Sequence, residues 1–166
     1  MRSEAIRIND EIREIYTMAK KTFKGRVVLA GKVTGTATVS RQPFNTSGSY
    51  TENMFAGRTD AAPCTDAANK ELFGKDIAGA ILCTPTTVGS TMGGMCLMGM
   101  KDIGVGPEAL LFSKPIDTLA AAGVLMADIW QKKPIFCIDL LGEDFLEAVK
   151  SGDPISIKED GTVEVG

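Results

Sequence analysis

Residues 79–95 read GAILCTPTTVGSTMGGM, and this stretch decides the fold. An apolar run ends at a Cys-Thr-Pro sequence, and a loop of glycine, serine and threonine then leads into a second apolar run. The pattern predicts a strand over 78–83, a loop, and a helix over 92–100. Ser90 and Thr91 precede that helix, where the first backbone N–H groups have no partner within the helix. Those amides and the two hydroxyls would hold a small anion such as a carboxylate, whereas a plain N-cap is the interpretation that spacing alone favours.

The alternation of strands and helices continues beyond this loop. We predict a strand over 109–112, a helix over 115–130 with a proline near its start, and another strand over 134–138. This βαβαβ succession predicts a parallel sheet. Residues 154–165 are predicted to form a hairpin about an Asp-Gly turn. We therefore expect an α/β protein, with additional strands around a parallel core.

The N-terminal part of the chain carries a different pattern. Apolar residues recur at helical spacing within residues 1–23, which predicts an amphipathic N-terminal helix. Two strands are predicted to follow over 26–30 and 32–40, in a region rich in valine and threonine. Residues 41–76 are the least regular part. A loop of this length in a compact domain more often has a function, or becomes ordered on binding a partner, than serves as a simple connection. We therefore divide the chain into a helix, 1–23, and one domain, 24–166.

Composition and charge argue against several classes of function. The 166 residues carry a formal net charge of -3 and no long basic run, so we expect no nucleic-acid partner. No apolar stretch approaches the ~20 residues of a membrane-spanning helix, and the N-terminus lacks the apolar core of a signal peptide. We therefore expect a cytoplasmic protein without a membrane partner. The chain contains no histidine, which excludes imidazole acid–base chemistry and histidine metal ligation within it.

The four cysteines are too widely spaced in the sequence for a zinc knuckle. Cys83, Cys96 and Cys137 lie in apolar runs and are predicted to be reduced core residues. Cys64 lies in the polar, turn-like sequence APCTD, and it is the one thiol that we consider for a reactive or ligand role. A plain loop cysteine is the alternative. With one such thiol and no histidine, the chain is expected to bind no metal or cofactor by itself.

A set of motifs resembles the small swivelling subunit of the aconitase X family, which belongs to the aconitase superfamily of dehydratases. The resemblance runs from about residue 24 to residue 166, and it depends on the order of the motifs because none of them is diagnostic alone. The set comprises GTATVS at 35–40 with PF at 43–44, LFGKDIAG at 72–79, PTTVGST at 85–91, GPEA at 106–109, AAGV at 121–124 with PI at 134–135, and GDPISI at 152–157 with DGTV at 160–163. The resemblance implies the swivelling β/β/α domain of that superfamily.

The resemblance also implies that two chains share one active site. In such enzymes the small domain lies over a large subunit that carries the iron or iron–sulfur centre and most catalytic groups. By resemblance, Ser90 is the serine that enters this site and takes or delivers the proton when water is eliminated from a small carboxylate. The expected substrate-binding residues are Gly89, Thr91, Ser47 and Arg58, with the arginine meeting a substrate carboxylate. Cys64 is a candidate to complete a metal site whose other ligands come from the large subunit.

One departure from a family pattern bears on the substrate. Relatives that act on mevalonate 5-phosphate often carry Ser-Phe-Trp-Gly-Gly after the first strands, whereas this chain has FNTSG at 44–48. The Ser90 loop looks more like that of bacterial relatives that dehydrate cis-3-hydroxy-L-proline, so we predict this substrate, with phosphomevalonate as the alternative. Outside enzymes, the alternatives are a module that binds a small anion at the Ser90 loop and a domain that serves only to dock a partner.

Overall fold

The computed structural model of the chain describes residues 20–166. The strands in this part are β1 (Lys21–Lys24), β2 (Arg26–Leu29), β3 (Val33–Val39), β4 (Phe44–Asn45), β5 (Ile81–Thr84), β6 (Thr87–Val88), β7 (Ala109–Phe112), β8 (Phe136–Asp139), β9 (Pro154–Ile157) and β10 (Thr162–Val165). The helices are α1 (Thr46–Ser49), α2 (Thr51–Ala56), α3 (Gly93–Asp102), α4 (Thr118–Met126) and α5 (Glu143–Ala148), and a π-helical turn, Ala127–Gln131, extends α4.

Eight of these strands form one sheet in the order β1-β10-β9-β3-β5-β7-β8-β2. The four central strands β3, β5, β7 and β8 run parallel, while β2, β9, β10 and β1 are joined antiparallel. The succession β5-α3-β7-α4-β8 is the predicted βαβαβ core, and the hairpin of β9 and β10 is also confirmed. The fold is therefore a mixed α/β domain around a mostly parallel sheet, as predicted.

Both faces of the central sheet are buried, which explains why its strands are continuous apolar runs. Side chains alternate between two cores along each strand. In β7, Leu110 packs with the helices on one face, and its neighbour Leu111 packs with α5 and the hairpin on the other. Leu82 and Cys83 of β5 divide in the same way.

Helices α3 and α4 cross in close contact because each presents a glycine at the crossing. A Cβ atom on Gly94 would lie 2.8 Å from the Leu119 carbonyl oxygen and 2.9 Å from the Ala122 Cβ. A Cβ atom on Gly123 would lie 2.7 Å from the Leu97 Cβ. This crossing fixes the amino end of α3, which follows the Ser90 loop.

The two edge strands of the large sheet are consecutive in the chain. β1 pairs with β10 at one edge and β2 pairs with β8 at the other, with Gly25 alone between them. The sheet is therefore curled until its two edges meet at this glycine. A Cβ atom on Gly25 would lie 2.4 Å from the Ile138 Cγ2, so the junction has no room for a side chain.

The structure corrects the prediction for the N-terminal part at its boundary. Residues 21–23 belong to strand β1 instead of the predicted helix, because they pair with β10. Lys20 is not helical either, and residues 1–19 of that predicted helix lie outside the described residues. The irregular segment 41–76 contains β4, α1 and α2, and it contributes Phe44 and Tyr50 to the core. Within residues 20–166, no helix has the length and apolar character needed to cross a membrane.

Candidate active site at the Ser90 loop

Two short parallel strands bring the Ser90 loop and helix α1 together. In the pairing of β4 with β6, Asn45 lies opposite Val88, and each strand ends there. α1 follows directly after β4, and the Ser90 loop follows β6 and leads into α3. Ligands in parallel α/β sheets commonly bind outside the carboxyl ends of strands, so this geometry places the loop where a ligand site is expected.

Ser90 is exposed and also organises the turn that starts α3. Its Oγ accepts a hydrogen bond of 3.2 Å from the Met92 amide, and its carbonyl accepts one of 2.8 Å from the Gly93 amide. The hydroxyl therefore closes a turn just before α3, whose N-cap is Met92 and has no side-chain cap, so Ser90 is not the N-cap that the plain interpretation predicts. Because the same hydroxyl faces solvent beside the amino end of a ten-residue helix, it is also placed to meet a ligand. Thr91 is exposed next to it.

Gly89 is required by the backbone at this point. Its φ of 115° lies in the region that favours glycine, and a Cβ atom would lie 2.4 Å from the Asn45 Oδ1. That Asn45 oxygen accepts a hydrogen bond of 3.0 Å from the Gly48 amide and so caps α1. The glycine thus lets the Ser90 loop pass close to the capped end of α1.

Asp117 holds β6 against α4, a role that the sequence analysis missed. Its carboxylate accepts hydrogen bonds from the Thr86 hydroxyl at 2.8 Å and from the Thr87 hydroxyl at 2.7 Å, and it caps α4 through the Leu119 amide at 2.9 Å. Partial burial raises the pKa of Asp117, but the hydrogen bonds from threonine hydroxyls and backbone amides lower it by more, so the pKa lies below its ordinary value. Asp117 lies inside the predicted helix 115–130, so its role as the N-cap was not expected, and its threonine partner thirty residues earlier gave no local signal.

Ser47, predicted to contact substrate, points into the protein instead. Its Oγ is buried and has no hydrogen-bond partner among the described residues, and the same holds for the Thr46 Oγ1. The Thr46 hydroxyl lies against α3, since a Cβ atom on Gly93 would be 2.6 Å from it. In this conformation Ser47 does not reach a ligand at the surface, so this part of the prediction is not supported by the structure.

Arg58, the predicted cation for a substrate carboxylate, is held by neighbouring acids. Its guanidinium pairs with Asp60 at 3.1 Å and with Glu52 at 3.3 Å. The Asn53 amide fixes the same segment by donating to the Arg58 carbonyl at 2.7 Å. No hydrogen bond joins Arg58 to the Ser90 loop in the described part of the chain.

Cys64 is buried, which corrects the polar setting expected from its sequence. It is 1% exposed and packs in the core with Phe44 and Tyr50, because its backbone pairs with Gly74 and Lys75. The other three cysteines are buried as predicted, and all four are free thiols. Burial raises the pKa of Cys96 to about 11. No group of three or more His, Cys, Asp or Glu side chains that could hold a metal occurs among residues 20–166.

Two surface features adjoin the Ser90 loop. The first, which we call the Asp66 cleft, has a volume of about 230 Å³ and is lined by Gln42, Pro43, Asn45, Asp66, Ala68, Asn69 and Val88. The second, which we call the methionine face, is an apolar depression of about 370 Å³ between α2 and α3, lined by Asn53, Met54, Met92, Met95, Cys96, Gly99, Met100 and Ile103. A third depression, polar and of about 360 Å³, lies near the starts of β5 and β7, away from the loop.

Comparison with known proteins identifies the family to which this fold belongs. The family model of the aconitase X swivel domain matches residues 22–165. The small subunit of phosphomevalonate dehydratase from Archaeoglobus fulgidus is 31% identical over 144 residues, which are 86% of this chain and 97% of that protein. The corresponding subunit from Thermococcus gammatolerans is 32% identical over 146 residues, 86% of this chain and 96% of that protein.

Solved structures show the same fold. The crystal structure of Thermococcus kodakaraensis aconitase X in its holo-form matches with a TM-score of 0.72 and 27% identity, over 88% of this chain and 98% of that chain. A UPF0107 protein solved in solution by NMR matches with a TM-score of 0.69 and 28% identity, over 88% of this chain and 99% of that chain. The chain therefore belongs to the aconitase X swivel-domain family.

Proposed function

We propose that this chain is the small subunit of a two-subunit dehydratase and that it contributes Ser90 to an active site shared with a large subunit. The observation that carries the proposal is an exposed serine hydroxyl at the amino end of α3, in a chain that aligns along most of its length with small subunits of phosphomevalonate dehydratase. Its relatives are named as small subunits, which supports a larger partner for this chain as well.

Phosphomevalonate is the first substrate to test. The relatives support it better than cis-3-hydroxy-L-proline, the substrate predicted from the Ser90 loop and the FNTSG sequence at 44–48, because those named here are phosphomevalonate dehydratases. Asn45 in the departing segment lies against Gly89 of the loop, close enough to bear on the substrate, so the hydroxyproline is the second compound to test. Both compounds are hydroxy acids, so the same elimination of water applies to each.

In this proposal the Ser90 alkoxide takes a proton from the carbon next to the one that bears the hydroxyl group of the substrate. The electrons of that C–H bond form the double bond, the C–O bond breaks, and the hydroxide leaves as water with a proton from an acid of the partner. A free serine hydroxyl is too weak a base at neutral pH, so its anion needs stabilisation from its surroundings. The amino end of α3 supplies part of this through its partial positive charge. Cationic groups of the partner are expected to supply the rest, because Arg58 is already paired with two acids.

An iron or iron–sulfur centre, expected from the family resemblance, would be held by the partner. The described residues offer no cluster of ligands, and the thiol of Cys64 is buried in the core. This chain's part in the reaction is therefore limited to placing Ser90 and shaping the site around it.

The methionine face supports a docking position for the large subunit beside the active site. Met92 and Met95 are 54% and 55% exposed, and Phe55 on the adjoining helix is 82% exposed. Large apolar side chains grouped on a surface mark interaction sites. Because Met92 is two residues from Ser90, a partner covering this face would also exclude water from the Ser90 loop.

The decisive experiment is co-expression with the large dehydratase subunit of the same organism, followed by assays with phosphomevalonate and with cis-3-hydroxy-L-proline. Ser90→Ala should lower turnover by about 10²–10⁴-fold, because proton transfer by a placed group contributes that much. Thr91→Ala, which removes the neighbouring hydroxyl, should have a much smaller effect. If Ser90 only closes the turn before α3, alanine should instead cost about 1 kcal/mol of stability, the usual contribution of one hydrogen bond, and spare turnover. Binding of a small carboxylate without any turnover would favour the anion-binding module.

The docking position is tested by charge substitution. Met95→Glu should prevent co-purification with the large subunit, because a carboxylate would then be buried without a partner. Ile129→Glu is the matched control, since Ile129 has the same 55% exposure but is not one of the residues that line the methionine face. Equal loss of assembly in both variants, or in neither, would contradict the proposed position.

A further inference from the structure

The Asp66 cleft carries one ionisable side chain, and that side chain is acidic. Its lining residues include no lysine or arginine. It lies directly beside the Ser90 loop, because Asn45 and Val88 belong both to the cleft and to the strand pair from which the loop departs. The charge of this cleft therefore bears on which part of a substrate could enter it.

Part of the polar lining is already occupied within the protein. The Asn69 amide donates to the Ser40 Oγ at 2.9 Å, and its oxygen accepts from the Leu72 amide at 3.1 Å. Asn69 is thus a structural residue of the cleft wall. Asp66 differs, because its Oδ1 accepts from the Ala68 amide at 3.1 Å while its Oδ2 receives no hydrogen bond from the described residues.

Of two cations close in sequence to the lining, Arg41 is paired with an acid and Lys70 lies at the rim of the cleft. Arg41 pairs with Glu71 at 3.3 Å and donates to the Val149 carbonyl. The Lys70 ammonium donates to the Ala67 carbonyl at 2.7 Å. Because Ala67 lies between Asp66 and Ala68, Lys70 is a cation at the rim, but no cation lines the cleft itself. An anionic group inside the cleft would therefore meet the Asp66 carboxylate.

Resting on the proposed function, we infer that the Asp66 cleft receives the part of the substrate that donates hydrogen bonds, a hydroxyl or a protonated amine, and that the anionic groups of the substrate lie outside it. The Asp66 Oδ2 accepts from this donor. The carboxylate or phosphate of the substrate lies toward the amino end of α3 or toward the partner. The cleft thus sets the orientation of the substrate beside Ser90.

The first test uses the active two-subunit complex. Asp66→Asn keeps the shape and the bond to the Ala68 amide but removes the charge, so KM should rise about tenfold while kcat stays within about twofold. Glu159→Gln is the control, because Glu159 is an exposed acid on the β9–β10 turn. An unchanged KM would overturn the inference. A lower KM would also overturn it, because that result means that the cleft holds an anion.

The second test does not require dehydratase activity, so it also decides the inference if the proposed function fails. The full chain is titrated with cis-3-hydroxy-L-proline and, separately, with inorganic phosphate, while NMR follows the backbone amides of Asn45, Ala68 and Val88. The hydroxy amino acid should shift these signals saturably in the wild type and much more weakly in Asp66→Asn. Shifts caused by phosphate would overturn the inference, and so would the absence of shifts with both compounds.

Discussion

The contact between α3 and α4 predicts opposite effects for the same substitution at two positions of one helix. A Cβ atom on Gly94 would lie 2.8 Å from one backbone oxygen and 3.0 Å from a backbone nitrogen of α4, distances that only a movement of the helices can relieve. Gly99, in the same helix, has nothing within 4 Å of the corresponding position. Gly99→Ala should therefore stabilise the chain by about 0.5–1 kcal/mol, the usual gain when alanine replaces glycine in a helix.

Gly94→Ala receives at most the same gain but adds an overpacking cost of about 1–3 kcal/mol. The free energies of unfolding of the two variants should therefore differ by about that cost, with Gly94→Ala the less stable. Urea unfolding of the isolated chain measures this difference through the midpoint, provided that the slope is unchanged. Equal stability of the two variants would refute the argument that these helices are held at glycine contact. In the complex, Gly94→Ala should also lower turnover, since it displaces the helix that carries the Ser90 loop.

Two further predictions concern ionisable groups. Asp139 is buried, and burial raises its pKa. Hydrogen bonds from the Arg26 guanidinium and the Ile116 amide lower this pKa by more. The pKa of Asp117 is also lower than its ordinary value. A carboxyl group whose pKa is lower in the folded chain than in the unfolded chain, where it is about 4, stabilises the fold above that pH. The urea midpoint of the wild type should therefore fall as the pH drops below about 4. The midpoint of Asp139→Asn, compared with its own midpoint at neutral pH, should fall by less. The cysteines make the second prediction: at 0–4% exposure, none of the four thiols should react with an aromatic disulfide reagent until the chain is unfolded, and rapid labelling of Cys64 in the native chain would contradict its buried position.

The parallel core could be predicted because its information is local. Each strand is a short apolar run that ends at a proline or a polar residue, and the residues of the first turn indicate where each helix begins. Strand β1 could not be predicted in this way. Its sequence, KTFK, has little strand character by itself, and it becomes a strand because Lys24 lies beside Thr162, 138 positions later.

The candidate site was predicted in part, for a related reason. The position of Ser90 before a helix follows from local sequence, and the structure places it there. The burial of Ser47 and Cys64 depends on contacts with residues distant in sequence, such as the approach of α1 to Gly93. The polar sequence around each of them therefore suggested an exposed position that the fold does not give. The pairing of Arg58 with Glu52 and Asp60 lies within nine residues, and a closer inspection of local charge would have found it.

The junction at Gly25 sets an order for folding during synthesis. Strand β2, which follows this glycine, pairs with β8, and strand β1, which precedes it, pairs with β10, the last strand of the described chain. The ribosome must therefore deliver nearly the whole domain before β1 can pair, and until then β1 and β9 each present an unpaired edge. Contacts this distant in sequence make folding slow, and exposed strand edges invite association between chains. A circular permutant that joins residue 166 to residue 20, so that Gly166 and Lys20 form a two-residue loop between the paired Val165 and Lys21, would make β1 continuous with its partner. If the chain is opened at Gly57, an exposed loop position, we expect this permutant to fold faster without losing the sheet.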